Sequence, residues 1–169
     1  YSNEIGTFTA PIAGGEIVEV YDSRNRFVGR GYYNVKSQIT VRLLTRDINE
    51  QIDEAFFKTR IESCLQYRHK LGYTENFRLV FGESDFLPGL IIDKFGDYFV
   101  LQTLSLGMDK WKEVIAKVLM ERFSPKGIYE RNDVPVRKLE GLPEQKHFLS
   151  DPFATKFQLE EQGVKIWVD

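Results

Sequence analysis

Residues from which metal sites and nucleophilic centres are commonly built are scarce in this sequence. Its 169 residues include one cysteine and two histidines, which excludes an internal disulfide and a thiolate metal site. No apolar run approaches the roughly 20 residues that span a bilayer, and no signal peptide is visible. No strand-like run leads into a glycine-rich nucleotide-binding turn or a P-loop. We therefore expect a cytoplasmic protein with no membrane association, and no catalytic centre, metal or bound cofactor within these residues.

A large excess of positive charge is also missing. The formal net charge is −2, unlike that of proteins that hold nucleic acid through bulk charge. The charge is uneven, however, because residues 1–46 carry six Lys and Arg against four acidic residues, which leaves the remainder at −4. The composition therefore allows a local basic face near the amino terminus.

The first 46 residues carry the pattern of short β-strands separated by polar turns. Strands are predicted over 16–21, 27–33 and 39–44, where apolar side chains alternate with polar ones. Gly29 and Gly31 lie within the second strand, where such glycines indicate a bulge or a close backbone approach. Three strands at this spacing predict a small β-barrel or curled sheet with one buried face and one basic face.

Helical spacing begins at about residue 53 and ends near Gly72, which occupies the place of a carboxyl-terminal cap. The apolar stripe of this helix is formed by Phe57, Ile61, Cys64, Leu65 and Leu71. Beyond it the sequence predicts strands over 77–81, 90–93, 98–104, 127–131, 154–159 and 164–168, a helix over 108–123, a short helix or turn over 134–140 and a loop over 142–152. The last two strands flank a Gln162-Gly163 turn.

The fold class predicted by these patterns is α+β. Residues 1–46 form the small barrel, residues 47–72 a connecting helix, and residues 73–169 an α+β sandwich domain. The sequence begins without Met and stops just after a strand-like run, so both ends are expected to be cut.

Acidic side chains surround one Pro-Gly turn. Asp85, Asp93 and Asp97 lie on either side of Pro88-Gly89, a composition that would suit a cation or acid–base work. A tight turn capped by Asp85 explains the same residues. Cys64 lies on the apolar stripe, where a thiol is a small hydrophobe with a raised pKa.

A second dense phrase, over residues 129–142, is basic. Arg131, Arg137 and Lys138 could hold phosphate oxygens, with Asp133 orienting Arg137 four positions on. A structural network of ion pairs explains these residues equally well.

At these two phrases the sequence resembles the bacterial 5-methylcytosine methyltransferases of large-subunit 23S rRNA, which carry an amino-terminal PUA domain. The matching elements are Ser2-Asn3-Glu4-Ile5, Gly29-Arg30-Gly31-Tyr32-Tyr33-Asn34 with Ser37-Gln38-Ile39, Ile52-Asp53-x-Ala55-Phe56-Phe57, Glu83-Ser84-Asp85-x-Leu87-Pro88-Gly89-Leu90 with Asp93, and Tyr129-x-Arg131-x-Asp133-x-x-Val136-Arg137 with Glu140-Gly141. They occur in family order and cover essentially the whole chain. One departure is Phe86, where the family usually has Gly.

The resemblance implies three parts: a PUA barrel, a central α+β domain and a carboxyl-terminal Rossmann-type domain that binds S-adenosylmethionine. The third part and its catalytic cysteine have no counterpart among these residues, and no catalytic role transfers to Cys64. The cofactor therefore belongs to the full-length protein and not to this piece.

The resulting prediction is an RNA-binding and substrate-positioning part of an rRNA methyltransferase, with large-subunit ribosomal RNA as partner and a homodimer left open. Phosphate contacts, 2′-hydroxyl contacts and base stacking would hold structured RNA. The candidate RNA-binding residues are Arg24, Arg26, Arg30, Tyr32, Tyr33, Lys36, Arg42, Arg131 and Arg137. The alternatives are a stand-alone RNA-binding adaptor without catalysis and a small metal-dependent hydrolase that uses Asp85, Asp93 and Asp97.

Overall fold

Alternating runs near the amino terminus fold into a three-stranded antiparallel sheet in the order β1-β2-β3. The strands are β1 (Ile17–Tyr21), β2 (Phe27–Tyr33) and β3 (Val41–Thr45). The protein is seen here in a computed structural model, which describes residues 5–161 and 163–169. The motif residues Ser2, Asn3 and Glu4 and the turn residue Gln162 lie outside the described residues.

The Gly-Arg-Gly stretch of β2 is explained by the neighbouring strand. The register shifts between Arg30 and Gly31, which is a β-bulge. A Cβ atom on Gly31 would collide with the backbone carbonyl of Arg42 on β3. The predicted bulge and close approach are therefore both present.

Helix α1 (Glu54–Lys70) has the predicted ends. Its N-cap residue Asp53 accepts a hydrogen bond from the backbone N–H of Phe56 at 2.9 Å, which satisfies an otherwise unpaired donor of the first turn. Gly72 follows the helix in a left-handed conformation with φ of 88°, as such caps require. Leu71, predicted on the buried stripe, is instead exposed because the helix ends before it.

A five-stranded sheet forms the centre of the molecule, in the order β4-β5-β6-β7-β8. Its strands are β4 (Asn76–Phe81), β5 (Leu90–Phe95), β6 (Tyr98–Thr103), β7 (Gly127–Asn132) and β8 (Gln145–Phe148). Neighbours are antiparallel except β6 and β7. A parallel pair needs a crossover connection, and α2 (Leu106–Lys110) and α3 (Lys112–Phe123) provide it.

Two sequence predictions in this region are wrong. The single helix expected over 108–123 is two helices that meet at Trp111, whose backbone leaves helical geometry at ψ of 0° while its ring packs 5.1 Å from that of Phe57. The loop expected over 142–152 contains β8. That strand is mostly polar because it lies at the edge of the sheet, so it lacks the apolar alternation by which strands are recognised.

The core lies between the sheet and the helices α1 and α3. Buried strand residues such as Leu79, Ile92 and Leu101 pack against the buried faces of these helices, to which Ile61 and Ile115 belong. In the part of the chain that the structure describes, no helix covers the opposite face of the sheet. The chain continues through the short helix α4 (Val136–Leu139) and ends in the hairpin β9 (Phe157–Glu161) and β10 (Val164–Val168). No helix in the described part of the chain is long and apolar enough to cross a membrane.

The predicted α+β class is confirmed. The three-stranded sheet also contacts the central part through buried side chains, including Tyr32, whose hydroxyl donates to the carbonyl of Pro88. The division of the chain at residues 46 and 72 stays a prediction.

Candidate nucleic-acid interface

The turn between β1 and β2 presents two exposed arginines, Arg24 and Arg26. Asp22 holds the turn, because its Oδ1 accepts hydrogen bonds from the backbone N–H groups of Arg24 (2.9 Å) and Arg26 (3.0 Å). The backbone and side-chain hydrogen bonds from Arg26 lower the pKa of Asp22. Asn25 adopts a positive φ of 58°, which asparagine tolerates better than most residues. The loop therefore carries its basic side chains on a defined backbone.

Lys36 is exposed at the opposite end of the same sheet, in the turn between β2 and β3. The intervening strand β2 has seven residues and spans about 23 Å at the rise of a β-strand. The basic residues predicted near the amino terminus therefore form two separate groups and not one continuous patch.

Arg30 is not free to bind phosphate, which corrects the prediction. Its guanidinium is buried and donates to Glu19 Oε1 at 2.5 Å, to the carbonyl of Ile48 at 3.2 Å and to that of Glu50. The hydrogen bond and charge of Arg30 in turn lower the pKa of Glu19. Arg30 therefore joins β1 and β2 to the segment that leads into α1.

Tyr32 and Tyr33 are not placed to stack on a base. Tyr32 is 1% exposed, and its hydroxyl lies 2.7 Å from both the Pro88 carbonyl and Ser105 Oγ. Burial raises the pKa of Tyr32 well above its ordinary value. Tyr33 is also buried, with its ring edge-to-face against Phe8 at 5.2 Å. Adjacent side chains of a strand point to opposite faces, and here the central part covers Tyr32 while Phe8 packs on Tyr33, so neither ring is exposed for the predicted stacking.

Arg42 is engaged by a buried carboxylate that sequence reasoning did not single out. Glu140 accepts hydrogen bonds from Arg42 Nη2 at 2.9 Å, Asn34 Nδ2 at 2.8 Å and Ser37 Oγ at 2.5 Å. Asn34, Ser37 and Glu140 are all buried. The predicted phosphate ligand Arg42 is therefore already paired within the protein, and Glu140 ties the three-stranded sheet to the end of α4. Nothing in the sequence indicates that Glu140 lies near Asn34 in the fold, except that both residues belong to the family motifs.

Arg137 lies in a network of internal contacts, which is the structural alternative that the sequence left open, and it is not exposed for the predicted phosphate contact. It is 0% exposed and donates to Asp109 Oδ1 at 2.9 Å, to the carbonyl of Pro143 at 2.8 Å and to that of Thr103. Asp133 does not orient it. The carboxylate of Asp133 instead lies 3.5 Å from Arg131 Nε and 3.6 Å from Lys146 Nζ.

Lys138 of the second basic phrase is exposed and pairs with Glu144 at 2.8 Å. Arg131, in the same phrase, also faces solvent. It points from β7 onto the helix-free face of the five-stranded sheet, where it lines a cleft of about 700 Å³. The cleft is also lined by the charged or polar residues Arg78, Asp93, Gln102, Asp133, Lys146 and Asp169 and by the aromatic residues Tyr98, Tyr129, Phe153 and Phe157, among others. Lys146 and the aromatic residues were not identified from the sequence, although the period of two in a β-strand would have placed Tyr129 and Arg131 of the predicted strand 127–131 on one face.

The three acids proposed for a metal-dependent hydrolase are separated and paired. Asp85 binds Arg68 at 2.5 Å, Asp93 binds Arg78 at 2.8 Å and Asp97 binds Lys126 at 2.8 Å. In residues 5–161 and 163–169, no group of three or more His, Cys, Asp or Glu side chains converges as metal ligands would. Cys64 is buried, and burial raises its pKa to about 11, as predicted. The hydrolase alternative therefore has no structural support.

S-adenosylmethionine would need a strand-to-helix turn that lets the ligand approach the backbone closely. Between the parallel strands β6 and β7, the strand-to-helix turn is the junction of β6 with α2, and Gly107 lies in the first turn of α2. The ring of Tyr32 covers Gly107, so that a Cβ atom there would collide with it. These residues do not fit the cofactor.

Comparisons with known proteins agree with the architecture. Residues 1–46 match the family model of a PUA-like domain. The chain is 43% identical to ribosomal RNA large subunit methyltransferase I of Pseudoalteromonas atlantica over 159 residues, covering 92% of this chain and 40% of that protein. The protein of the same name from Shewanella amazonensis is 44% identical over 160 residues, with the same coverage. That from Klebsiella pneumoniae is 36% identical over 173 residues, covering 100% of this chain and 43% of that protein.

Solved structures share the fold at low sequence identity. One, assigned as a methyltransferase and solved in complex with SAH, has a TM-score of 0.73 at 17% identity and covers 92% of this chain and 40% of its own. Another, assigned as a SAM-dependent methyltransferase from Streptococcus mutans, has a TM-score of 0.72 at 17% identity and covers 94% of this chain and 41% of its own. The chain spans about two fifths of the length of the curated relatives it matches. Over most of its length it is homologous to ribosomal RNA large subunit methyltransferase I, with a PUA-like domain at residues 1–46.

Proposed function

We propose that this chain is the RNA-binding and substrate-positioning part of a SAM-dependent rRNA cytosine-C5 methyltransferase that acts in the cytoplasm. Homology along the chain to ribosomal RNA large subunit methyltransferase I carries the proposal. Methyl transfer and the binding of S-adenosylmethionine are assigned to the portion of such proteins that this chain does not match. Division into a barrel at 1–46, a connecting helix at 47–72 and a central domain at 73–169 is part of the same proposal.

RNA contacts are assigned to the exposed ends of the three-stranded sheet. Arg24 and Arg26 on one turn and Lys36 on the other are accessible to phosphates and 2′-hydroxyls of structured RNA. Their separation of about 23 Å, the length of a seven-residue strand, fits two contact points along a folded RNA better than one compact phosphate site.

Positioning is assigned to the buried contacts between this sheet and the central part. The hydroxyl of Tyr32 and the carboxylate of Glu140 bind partners on opposite sides of the junction. Buried and fully paired polar groups rigidify a junction. RNA held by the three-stranded sheet would thus lie at a fixed distance and angle from the central sheet.

A fluorescence anisotropy titration with a labelled hairpin of large-subunit rRNA tests the proposal. The triple variant Arg24→Gln, Arg26→Gln and Lys36→Gln should bind at least about tenfold more weakly than the unsubstituted protein. Its affinity should also depend less steeply on salt between about 50 and 200 mM, because each lost phosphate contact removes about 0.9 from the logarithmic slope. The control triple Lys58→Gln, Lys117→Gln and Lys126→Gln carries the same change of charge. No RNA binding by the unsubstituted protein, or equal loss in both triples, would contradict the proposal.

The adaptor alternative shares the RNA-binding part of the proposal. It predicts that the natural protein binds RNA and has no methyltransferase activity, whereas the leading proposal predicts SAM-dependent methylation of rRNA by the natural protein. Calorimetry with S-adenosylmethionine should give no heat with these 169 residues alone.

A homodimer stays a prediction, which sedimentation analysis would test.

A further inference from the structure

Two cations oppose each other on the helix-free face of the five-stranded sheet. Arg131 on β7 is paired directly with Lys146 on β8 in the antiparallel register, and their side chains are 59% and 52% exposed. Like charges in directly opposed positions destabilise a pair of strands. Within the fold, Asp133 is the carboxylate near both cations, so the pair is incompletely compensated and could also bind an anion from outside the protein.

The one carboxylate between them does not neutralise both. Asp133 lies 3.5 Å from Arg131 and 3.6 Å from Lys146, distances beyond those of a normal hydrogen bond. On the same face, Arg78 and Asp93 form a bidentate pair at 2.8 and 3.0 Å. The β4–β5 side of the face is thus internally paired, while on the β7–β8 side two exposed cations share the carboxylate of Asp133. Asp169, at the end of the chain, also lines the cleft.

Aromatic rings lie one step along the same two strands. Tyr129 and Phe148 are also directly paired, with ring centroids 5.0 Å apart in an edge-to-face arrangement. They lie two residues from Arg131 and Lys146 and therefore about 7 Å away on the same face. Further into the cleft, Tyr98 stacks between Phe153 at 4.8 Å and Phe157 at 4.5 Å.

We propose that this face, over β7 and β8, binds single-stranded RNA, with a phosphate between Arg131 and Lys146 and a base against Tyr129 and Phe148. The proposal rests on the proposed function and deepens it, because it names a second contact surface and the form of RNA that the surface takes. Aromatic platforms beside cations are the chemistry that recognises unpaired nucleotides, since every base has a flat face. A cleft of about 700 Å³ has the size of a small-ligand pocket.

Binding of a short unstructured fluorescein-labelled RNA, followed by anisotropy in about 50 and 200 mM salt, tests this assignment. Lys146→Gln should lower the affinity at least about fivefold and reduce the logarithmic salt slope by about 0.7. Tyr129→Leu, which keeps an apolar side chain without a flat face, should also lower it at least about fivefold. Lys117→Gln, on α3 behind the sheet, is the control with the same change of charge and should bind normally.

Thermal unfolding of the same variants separates binding from structure. Lys146→Gln should unfold at the same or a higher temperature, because it removes repulsion with Arg131. Weaker RNA binding by a variant whose stability is unchanged or increased supports the proposal. Weaker RNA binding that is explained by a loss of stability in the same variant overturns it. Unchanged RNA affinity in Lys146→Gln and Tyr129→Leu also overturns it and assigns the face to another occupant, such as a protein surface.

Failure here is distinguishable from failure of the proposed function. If the Arg24, Arg26 and Lys36 triple loses the rRNA hairpin while Lys146→Gln retains the unstructured RNA, only the assignment to β7 and β8 fails. If the unsubstituted protein binds neither RNA, both proposals fail.

Discussion

Arg42 and Glu140, 98 positions apart in the chain, form an ion pair at 2.9 Å in the junction between the three-stranded sheet and the central part. Glu140 is almost fully buried, and Asn34 and Ser37 bind the same carboxylate. A charge in such a place is tolerated because every neighbour donates a hydrogen bond to it. The pair therefore depends on both partners being charged and present.

Glu140→Gln should lower the free energy of unfolding by about 3 kcal/mol, because it leaves the guanidinium of Arg42 without its buried counter-charge. Urea denaturation measures this loss. Glu144→Gln removes the partner of the exposed Lys138 and should cost below about 0.5 kcal/mol. The double variant Arg42→Gln with Glu140→Gln should lose less than the sum of the two single losses. Strict additivity would show that the pair is not coupled.

The hydroxyl of Tyr32 should contribute to stability, and that of its neighbour should not. Tyr32→Phe deprives the Pro88 carbonyl and Ser105 of a buried partner, which should cost about 1 to 2 kcal/mol in thermal or urea unfolding. Tyr33→Phe serves as the matched control and should change stability by less than about 0.5 kcal/mol. RNA affinity should be the same in both variants, and a selective loss in Tyr32→Phe would mean that the hydroxyl of Tyr32, and with it the junction that it holds, contributes to RNA binding.

Phe86 is an aromatic residue in a conformation that favours glycine. Its φ is 58° and its side chain is 70% exposed, so the strain of the left-handed conformation is not offset by burial. Phe86→Gly should leave the free energy of unfolding unchanged or raise it by up to about 1 kcal/mol.

Two further variants test that explanation by chemical denaturation. Phe86→Val should be less stable by at least about 1 kcal/mol, because a β-branched residue tolerates a positive φ poorly. Phe81→Gly, at a nearby exposed position whose φ of −129° suits any residue, should also be destabilising. A large loss in Phe86→Gly would mean that the ring itself holds the turn.

Acid should weaken the contact between α1 and α3. The hydrogen bond from Arg122 lowers the pKa of Glu62 from its ordinary value of 4.5, and the two groups lie 2.7 Å apart. The unfolded chain binds this proton more tightly than the folded protein does, so the contribution is present above about pH 4.5 and is lost as the pH falls through the lowered folded value.

Melting temperatures of the unsubstituted protein and Glu62→Gln should therefore differ at pH 6 and converge in acid. Glu121→Gln, whose carboxylate lies 3.7 Å from Lys117 Nζ, is the control on the same helix as Arg122 and should show a smaller difference. If the difference in melting temperature between Glu62→Gln and the unsubstituted protein instead widens in acid, the pKa of Glu62 is not lowered by folding.

Local patterns predicted the strands of the amino-terminal sheet and α1, because alternation and capping are properties of neighbouring residues. They could not identify the residues of the junction. Arg30 and Arg42 have the appearance of exposed basic side chains on strands, and only their partners at Glu19 and Glu140 show that they are internal. Strand β8 was missed for the opposite reason, since a polar edge strand such as Gln145–Phe148 has the composition of a loop.

The placement of Tyr32 against Ser105, 73 positions later, has a consequence for the order of assembly during synthesis. The ribosome releases the amino-terminal strands first, yet the crossover that receives Tyr32 and the helix end that presents Glu140 emerge much later. Tyr32 in β2 and Asn34 just after it therefore lack their partners within the protein until α2 and α4 have left the exit tunnel. A pause in translation before residue 140 would lengthen the time for which these polar groups are exposed to water and to other chains.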